Sequence, residues 1–137
     1  MPIKYVIDDS MRLVYATAVG PVTMAELVDH LRALSADPRY LRPMKKLVDY
    51  RAGHVIAMSV EETKRLTEFK LELGDVFRGE RCAFLVSDDL DFGLSRVHGA
   101  YADPVLESSV FRDVSSALAW LGISPDSLDT LLPDGQA

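Results

Sequence analysis

The chain has 137 residues, 48% hydrophobic and 26% charged, the size and balance of one folded domain with its own core rather than a disordered or low-complexity protein. Fifteen Lys plus Arg against 21 Asp plus Glu leave a formal charge of −6, which opposes nonspecific attraction to nucleic-acid phosphates and anionic lipid surfaces. The single cysteine, Cys82, excludes an intramolecular disulfide and a four-cysteine zinc site.

The N-terminus has no basic stretch leading into an apolar one, and no apolar run approaches the roughly 18 residues of a membrane span. A cytoplasmic protein with no integral membrane segment and no nucleic-acid partner is the expectation.

Residues 3–7 and 11–19 are rich in β-branched and aromatic side chains, and Asp8-Asp9-Ser10 between them is turn chemistry. This predicts an N-terminal β-hairpin. Thr23 then precedes Met24, Leu27, Val28, Leu31 and Leu34 at helical spacing, with Glu26 as its capping partner, and Ala36-Asp37-Pro38 stops the helix.

After a loop rich in arginine and proline, residues 46–50 read as the next strand. Ser59-Val60-Glu61-Glu62 repeats the capping pattern ahead of a second helix carrying Leu66, Phe69, Leu73 and Val76, with Phe77 as its far limit. The unbroken apolar run Cys82-Ala83-Phe84-Leu85-Val86 predicts a central strand buried on both faces.

Asp88 or Asp89 can cap a third helix bearing Leu90, Leu94, Val97 and Tyr101, ended by Pro104. Ser109-Val110-Phe111 reads as a last strand. Asp113 caps a fourth helix with Val114, Ala117, Leu118 and Leu121 on one face, closed by Gly122. In the tail, Ser124 followed by Pro125 starts a short helix with Leu128, Leu131 and Leu132 on one side. The expected fold class is α/β: a five-stranded mixed sheet with an N-terminal hairpin and about four helices.

This order of elements resembles a STAS domain (sulfate transporter and anti-sigma factor antagonist), in its uncharacterised bacterial branch. Leu47-Val48-Asp49-Tyr50-Arg51, Val86-Ser87-Asp88-Asp89-Leu90-Asp91-Phe92-Gly93, Val110-Phe111-Arg112-Asp113 and Ala117-Leu118-Ala119-Trp120-Leu121 look like its fold-marking stretches. The likeness covers residues 3–122, leaving 123–137 as a tail.

The resemblance implies a regulatory interaction domain, and it places Ser59 where anti-sigma factor antagonists carry their phosphorylated serine. Those regulators read aspartate-serine-serine-glycine there, whereas this chain reads Ala57-Met58-Ser59-Val60. Glu61 and Glu62 would repel a phosphate that the helix N-terminus attracts, and a plain helix cap explains Ser59 equally well.

Other constellations have ordinary readings beside functional ones. Asp88, Asp89, Asp91 and Asp103 suggest a hard-cation site but also serve as caps, and the ligand pattern is incomplete. His30, His54 and His98 lack zinc-ligand spacing and read as surface or boundary histidines. Cys82 reads as a small buried hydrophobe. Arg39, Arg42, Lys45 and Lys46 form one basic cluster between the first helix and the next strand, a match for an acidic partner or a lipid head group, with a solvated loop as the more frequent explanation.

Met58, Phe77, Phe92, Trp120 and the tail leucines are candidates for an apolar patch or cleft. No cofactor motif is present. The readings are a non-catalytic protein-interaction domain, with a protein partner or a homodimer through Trp120, Leu128, Leu131 and Leu132; a carrier of a small apolar, lipid-like ligand; and an enzyme with a site dispersed over Asp49, His54, Asp88 and His98.

Overall fold

A computed structural model describes residues 3–41, 43–55, 59–73, 78–87, 107–124 and 126. Five strands form one sheet in the order β1-β2-β3-β4-β5: β1 Ile3–Asp8, β2 Leu13–Val22, β3 Lys45–Val55, β4 Arg81–Leu85 and β5 Glu107–Phe111. β1 and β2 are antiparallel, and every later neighbour pair is parallel. The expected mixed sheet with an N-terminal hairpin is therefore present.

Three helices are described: α1 Met24–Ala36, α2 Val60–Glu72 and α3 Val114–Leu121. The helix expected over residues 90–101 and the tail helix lie outside the described residues.

Strand alternation assigns the core to two layers. Val14, Ala16 and Ala18 of β2, Val48 and Tyr50 of β3, and Cys82 and Phe84 of β4 meet α1 and α2 on one face. Leu13, Tyr15, Leu47, Ala83 and Leu85 meet Ala117, Leu118 and Leu121 of α3 on the other. Both α1 and α2 lie on one face because β2-α1-β3 and β3-α2-β4 step across the sheet in the same direction, and right-handed crossovers then fall on the same side.

Local chemistry sets the ends of the helices. Thr23 caps α1, its Oγ1 accepting from the Glu26 N–H at 3.3 Å, while Asp113 caps α3 by accepting from the Ser116 N–H at 2.8 Å. Gly122 takes the left-handed conformation, φ +74°, so that the Ile123 N–H donates back to the Leu118 carbonyl at 2.9 Å and Ile123 returns to the core.

β2 and β3 outrun their expected ends at Val19 and Tyr50. Gly20-Pro21 and Ala52-Gly53 read as breaks, yet Val19 to Val22 pair in register with Ala52 to Val55 after a shift between Thr17 and Val19. Ladder hydrogen bonds outweigh weak strand propensity here. Among the described residues Pro21 lies past the last pair with β1, Ile3 with Ala18, in the part of β2 paired to β3, where a strand proline is tolerated if its nitrogen faces away from the ladder.

The hairpin turn uses the expected Asp8, whose Oδ1 accepts from Ser10 Oγ at 2.7 Å and the Met11 N–H at 2.9 Å. Arg12 then adopts φ +51°, a strained setting for a side chain of that size. Its guanidinium donates to the Leu41 carbonyl at 2.8 Å and the Pro43 carbonyl at 3.3 Å, tying the loop before β3 to the hairpin.

Candidate functional site

The layer beneath α1 and α2 holds an unusual set of polar groups. His30 of α1, Thr67 and Lys70 of α2, Lys46 of β3, and Glu80 just before β4 are all buried. Tyr40 and Cys82 are buried among them. Tyr40 donates its hydroxyl proton to Glu80 Oε2 at 2.6 Å, a short charge-assisted bond.

The register explains how these groups meet. Lys46 stands opposite Cys82 on the neighbouring strand and opposite Val14 on the other side, in the row that faces the helices. α1 contributes His30 because it follows Leu27 and precedes Leu31 and Leu34 on the buried stripe.

Burial is the main electrostatic fact of this cluster. It drives the His30 pKa down to about 2, helped by the positive charges of Lys46 and Lys70, so the imidazole is neutral. It also lowers the Lys70 pKa, where Lys46 acts in the same direction and the negative side of the cluster opposes it. Burial and then Glu80 push the Cys82 thiol up to about 12, which leaves almost no thiolate at neutral pH. His30 Nε2 has no hydrogen-bond partner.

Two sequence readings are corrected here. His30 is 7% exposed and belongs to the core, not to a surface or boundary. Lys45 is in β3 rather than in the loop, and Lys46, expected at the start of that strand, is not solvated but 4% exposed because its position in the strand turns it toward the helices. Arg39 does lie in an exposed loop, paired to Asp37 at 2.7 Å; Arg42 is outside the described residues.

The opposite face carries a second polar set. Asp49 accepts from the Tyr15 hydroxyl at 3.1 Å, from Arg51 through Nε at 3.0 Å and Nη2 at 2.8 Å, and from the Arg51 backbone N–H at 2.9 Å. Burial alone would raise the Asp49 carboxyl, but these bonds outweigh it and hold the pKa below the ordinary value. Burial and the Asp49 charge raise the Tyr15 hydroxyl in turn.

Ser59 is the exposed N-cap of α2 in a complete capping box: its Oγ accepts from the Glu62 N–H at 3.1 Å, and its own N–H donates to Glu62 Oε1 at 3.2 Å. That bonding accounts for about 1 kcal/mol of stability with no switch invoked. Trp120 is half-buried, with Phe111 at 5.7 Å between ring centroids and the Arg81 guanidinium 4.2 Å above its ring.

The dispersed enzyme site has only Asp49 placed, bound to Arg51 and Tyr15; the side chain of His54, together with Asp88 and His98, lies outside the described residues. So do Leu128, Leu131, Leu132, Met58, Phe77, Phe92 and the aspartates at 88, 89, 91 and 103. Among the described residues no group of three or more His, Cys, Asp or Glu could hold a metal ion, and no helix is long and apolar enough to cross a membrane.

A hairpin feeding a run of parallel strands, with helices on both faces, defines a SpoIIAA-like α/β domain. Among solved structures, the chain is similar to an uncharacterised protein of the DUF3478 family with a SpoIIAA-like fold from Shewanella loihica PV-4. The TM-score is 0.58 and the identity 22%, over 87% of this chain and 93% of that one. The match shows the fold expected from the STAS resemblance. No protein-family model and no curated protein matches the sequence.

The signal for the buried cluster was present but read locally. His30 sits on the apolar stripe of its helix, and Lys46 alternates with Leu47 as any inward-facing strand residue does. Only the pairing of β3 with β4 and the packing of two helices bring the groups together.

Proposed function

We propose that the chain is a non-catalytic interaction domain that assembles with a second copy of itself through the outer edge of β1. The observation that carries this reading is the self-complementary pattern of that strand. Among the described strands, β1 and β5 are the outer ones, and an unpaired strand edge is a ready template for another strand.

Lys4, Val6 and Asp8 share one face of β1, opposite Thr17, Tyr15 and Leu13 of β2. Val6 is 48% exposed. If β1 pairs antiparallel with its own copy about a two-fold axis at Val6, Lys4 meets Asp8 of the second copy, Val6 meets Val6, and Tyr5 meets Ile7 on the other face. Each pair is of a kind that stabilises antiparallel strands, and an isologous contact of this type closes at two subunits. Both hydrogen bonds to Asp8 within the turn use Oδ1, which leaves the geometry of Oδ2 suited to a cross-strand ammonium.

Sedimentation velocity from about 1 μM to 1 mM tests this, a range that spans weak self-association. The expected result is a monomer–dimer equilibrium that Val6→Lys abolishes by setting two ammonium groups on the axis. Lys4→Asp, which replaces two symmetry-related ion pairs by repulsions, raises Kd by about tenfold. A monomer at every concentration, or dimerisation indifferent to both substitutions, overturns the reading.

A further inference from the structure

α3 packs chiefly on β4 and β5, so the described helices cover only part of the sheet face on which it lies. Over β1 and β2 that face carries Lys4, Val6, Thr17 and Val19. Val6 pairs with Tyr15 and Lys4 with Thr17, and Val19 points the same way because Ala18 and Val22 turn into the layer under α1 and α2. Val6 and Val19 are exposed, Val19 by 63%, and Thr17 is half-buried. Together they form an apolar strip that no described helix covers.

The chain leaves α3 beside this strip. Lys45 shares a row with Leu13 of β2 and sets its ammonium 3.7 Å from where a side chain on Gly122 would begin, and Ile123 packs into the layer of Leu13 and Leu47. The sequence continues Ser124-Pro125-Asp126 and then carries Leu128, Leu131 and Leu132 at helical spacing up to Pro133. A helix over 125–132 spans about 12 Å, and β2 rises about 20 Å from Leu13 to Val19, so the leucines fall within the length of the strip. A helix so short is marginal alone and needs a face to pack on. Charge agrees: residues 123–137 contain Asp126, Asp129 and Asp134 and no Lys or Arg, while Lys45 and Arg51 stand toward the two ends of neighbouring β3.

We propose that the segment 125–132 closes over the outer face of β1 and β2 as a short amphipathic helix, with its leucines on Val6, Thr17 and Val19 and its aspartates toward Lys45 and Arg51. Docked there, it ties the exit of α3 to the N-terminal hairpin and completes the second helical layer. The proposal does not rest on the pairing of β1 with a second copy, which uses the edge of that strand. Val6 borders both surfaces, so the test is made at Val19.

Hydrogen exchange of the full chain, followed by mass spectrometry of the peptide covering 124–132 at about 1 μM and about 1 mM, reads the docking directly. Amides 128–132 should exchange about tenfold more slowly than in the free peptide, equally at both concentrations and whether or not the protein dimerises. Val19→Asp sets a carboxylate beneath the leucines from an exposed position and should remove that protection. Leu131→Asp changes no described residue, so it remains informative if Val19→Asp disturbs β2; it should shift the amide NMR signals of Thr17 and Val19 and leave that of Thr67 in α2 in place. Exchange at the free-peptide rate, or protection and signals indifferent to both substitutions, overturns the proposal. Protection that grows with concentration overturns it as well, because it assigns the segment to a second copy.

Discussion

On the face of the sheet covered by α3, the buried carboxylate is fully met: Asp49 takes bonds from Tyr15 and twice from the Arg51 guanidinium, and the other buried residues of that layer are aliphatic. On the face covered by α1 and α2, Lys46, Lys70, Glu80 and Cys82 are buried around an imidazole whose Nε2 has no partner. A completed network rigidifies a core, whereas an incomplete one marks a place where stability has been given up. The contrast teaches that burial of charge alone does not point to a site; an unmet bond within the buried set does.

The largest expected effect tests whether the α3 face is a purely structural layer. Leu118 is 1% exposed, and Leu118→Ala removes the central contact of a helix only eight residues long. Urea denaturation should show a loss of about 3 kcal/mol. A loss below about 1 kcal/mol would show that the α3 face carries little of the fold's stability.

A smaller effect is expected from Asp49→Ala, which strands the Tyr15 hydroxyl and the Arg51 guanidinium. Because Arg51 retains access to water, the loss should be about 2 kcal/mol rather than the larger cost of a fully buried pair. Restoring most of it with the second substitution Tyr15→Phe, measured as a double-mutant cycle, would confirm that the set is closed.

His30→Phe should have the smallest effect at neutral pH, within about 1 kcal/mol, because it removes an unsatisfied polar atom while keeping the ring. Its effect appears in acid. Folding lowers the His30 pKa, so the unfolded chain takes up the proton first; the stability from this group is complete above about 6.5 and is lost as pH falls toward about 2. Wild-type stability should fall by about 1.4 kcal/mol per pH unit well below 6.5 from this group, and the variant should lack that slope. Equal slopes would place the acid sensitivity elsewhere than in His30, which faces Lys46, Lys70 and Tyr5.

Much of the scaffold was legible from the chain. Thr23, Ser59 and Asp113 cap helices where their side chains said they would, and Gly122 closes α3 in the left-handed conformation. The run expected at 82–86 supplies all but the first residue of β4 and ends at Leu85, buried on both faces, since Cys82 and Phe84 join one layer and Ala83 and Leu85 the other. The extensions of β2 and β3 were not legible, because Gly20-Pro21 and Ala52-Gly53 carry local break signals that only their mutual pairing overrides.

The candidate site was the least legible part. Lys46 next to Lys45, Arg42 and Arg39 has the appearance of a solvated basic cluster, and its burial follows from strand parity, which sets it in the row of Val14 and Cys82 that α1 and α2 cover. Capping, periodicity and the order of elements are properties of neighbouring residues, so the sequence by itself determined the elements and their α/β arrangement. Which side chains share a dielectric interior depends on the register of β3 against β4 and on two helices separated by more than 20 residues of chain meeting over the same strands. The tertiary structure alone decided that, because desolvation acts through space and leaves no trace in local spacing.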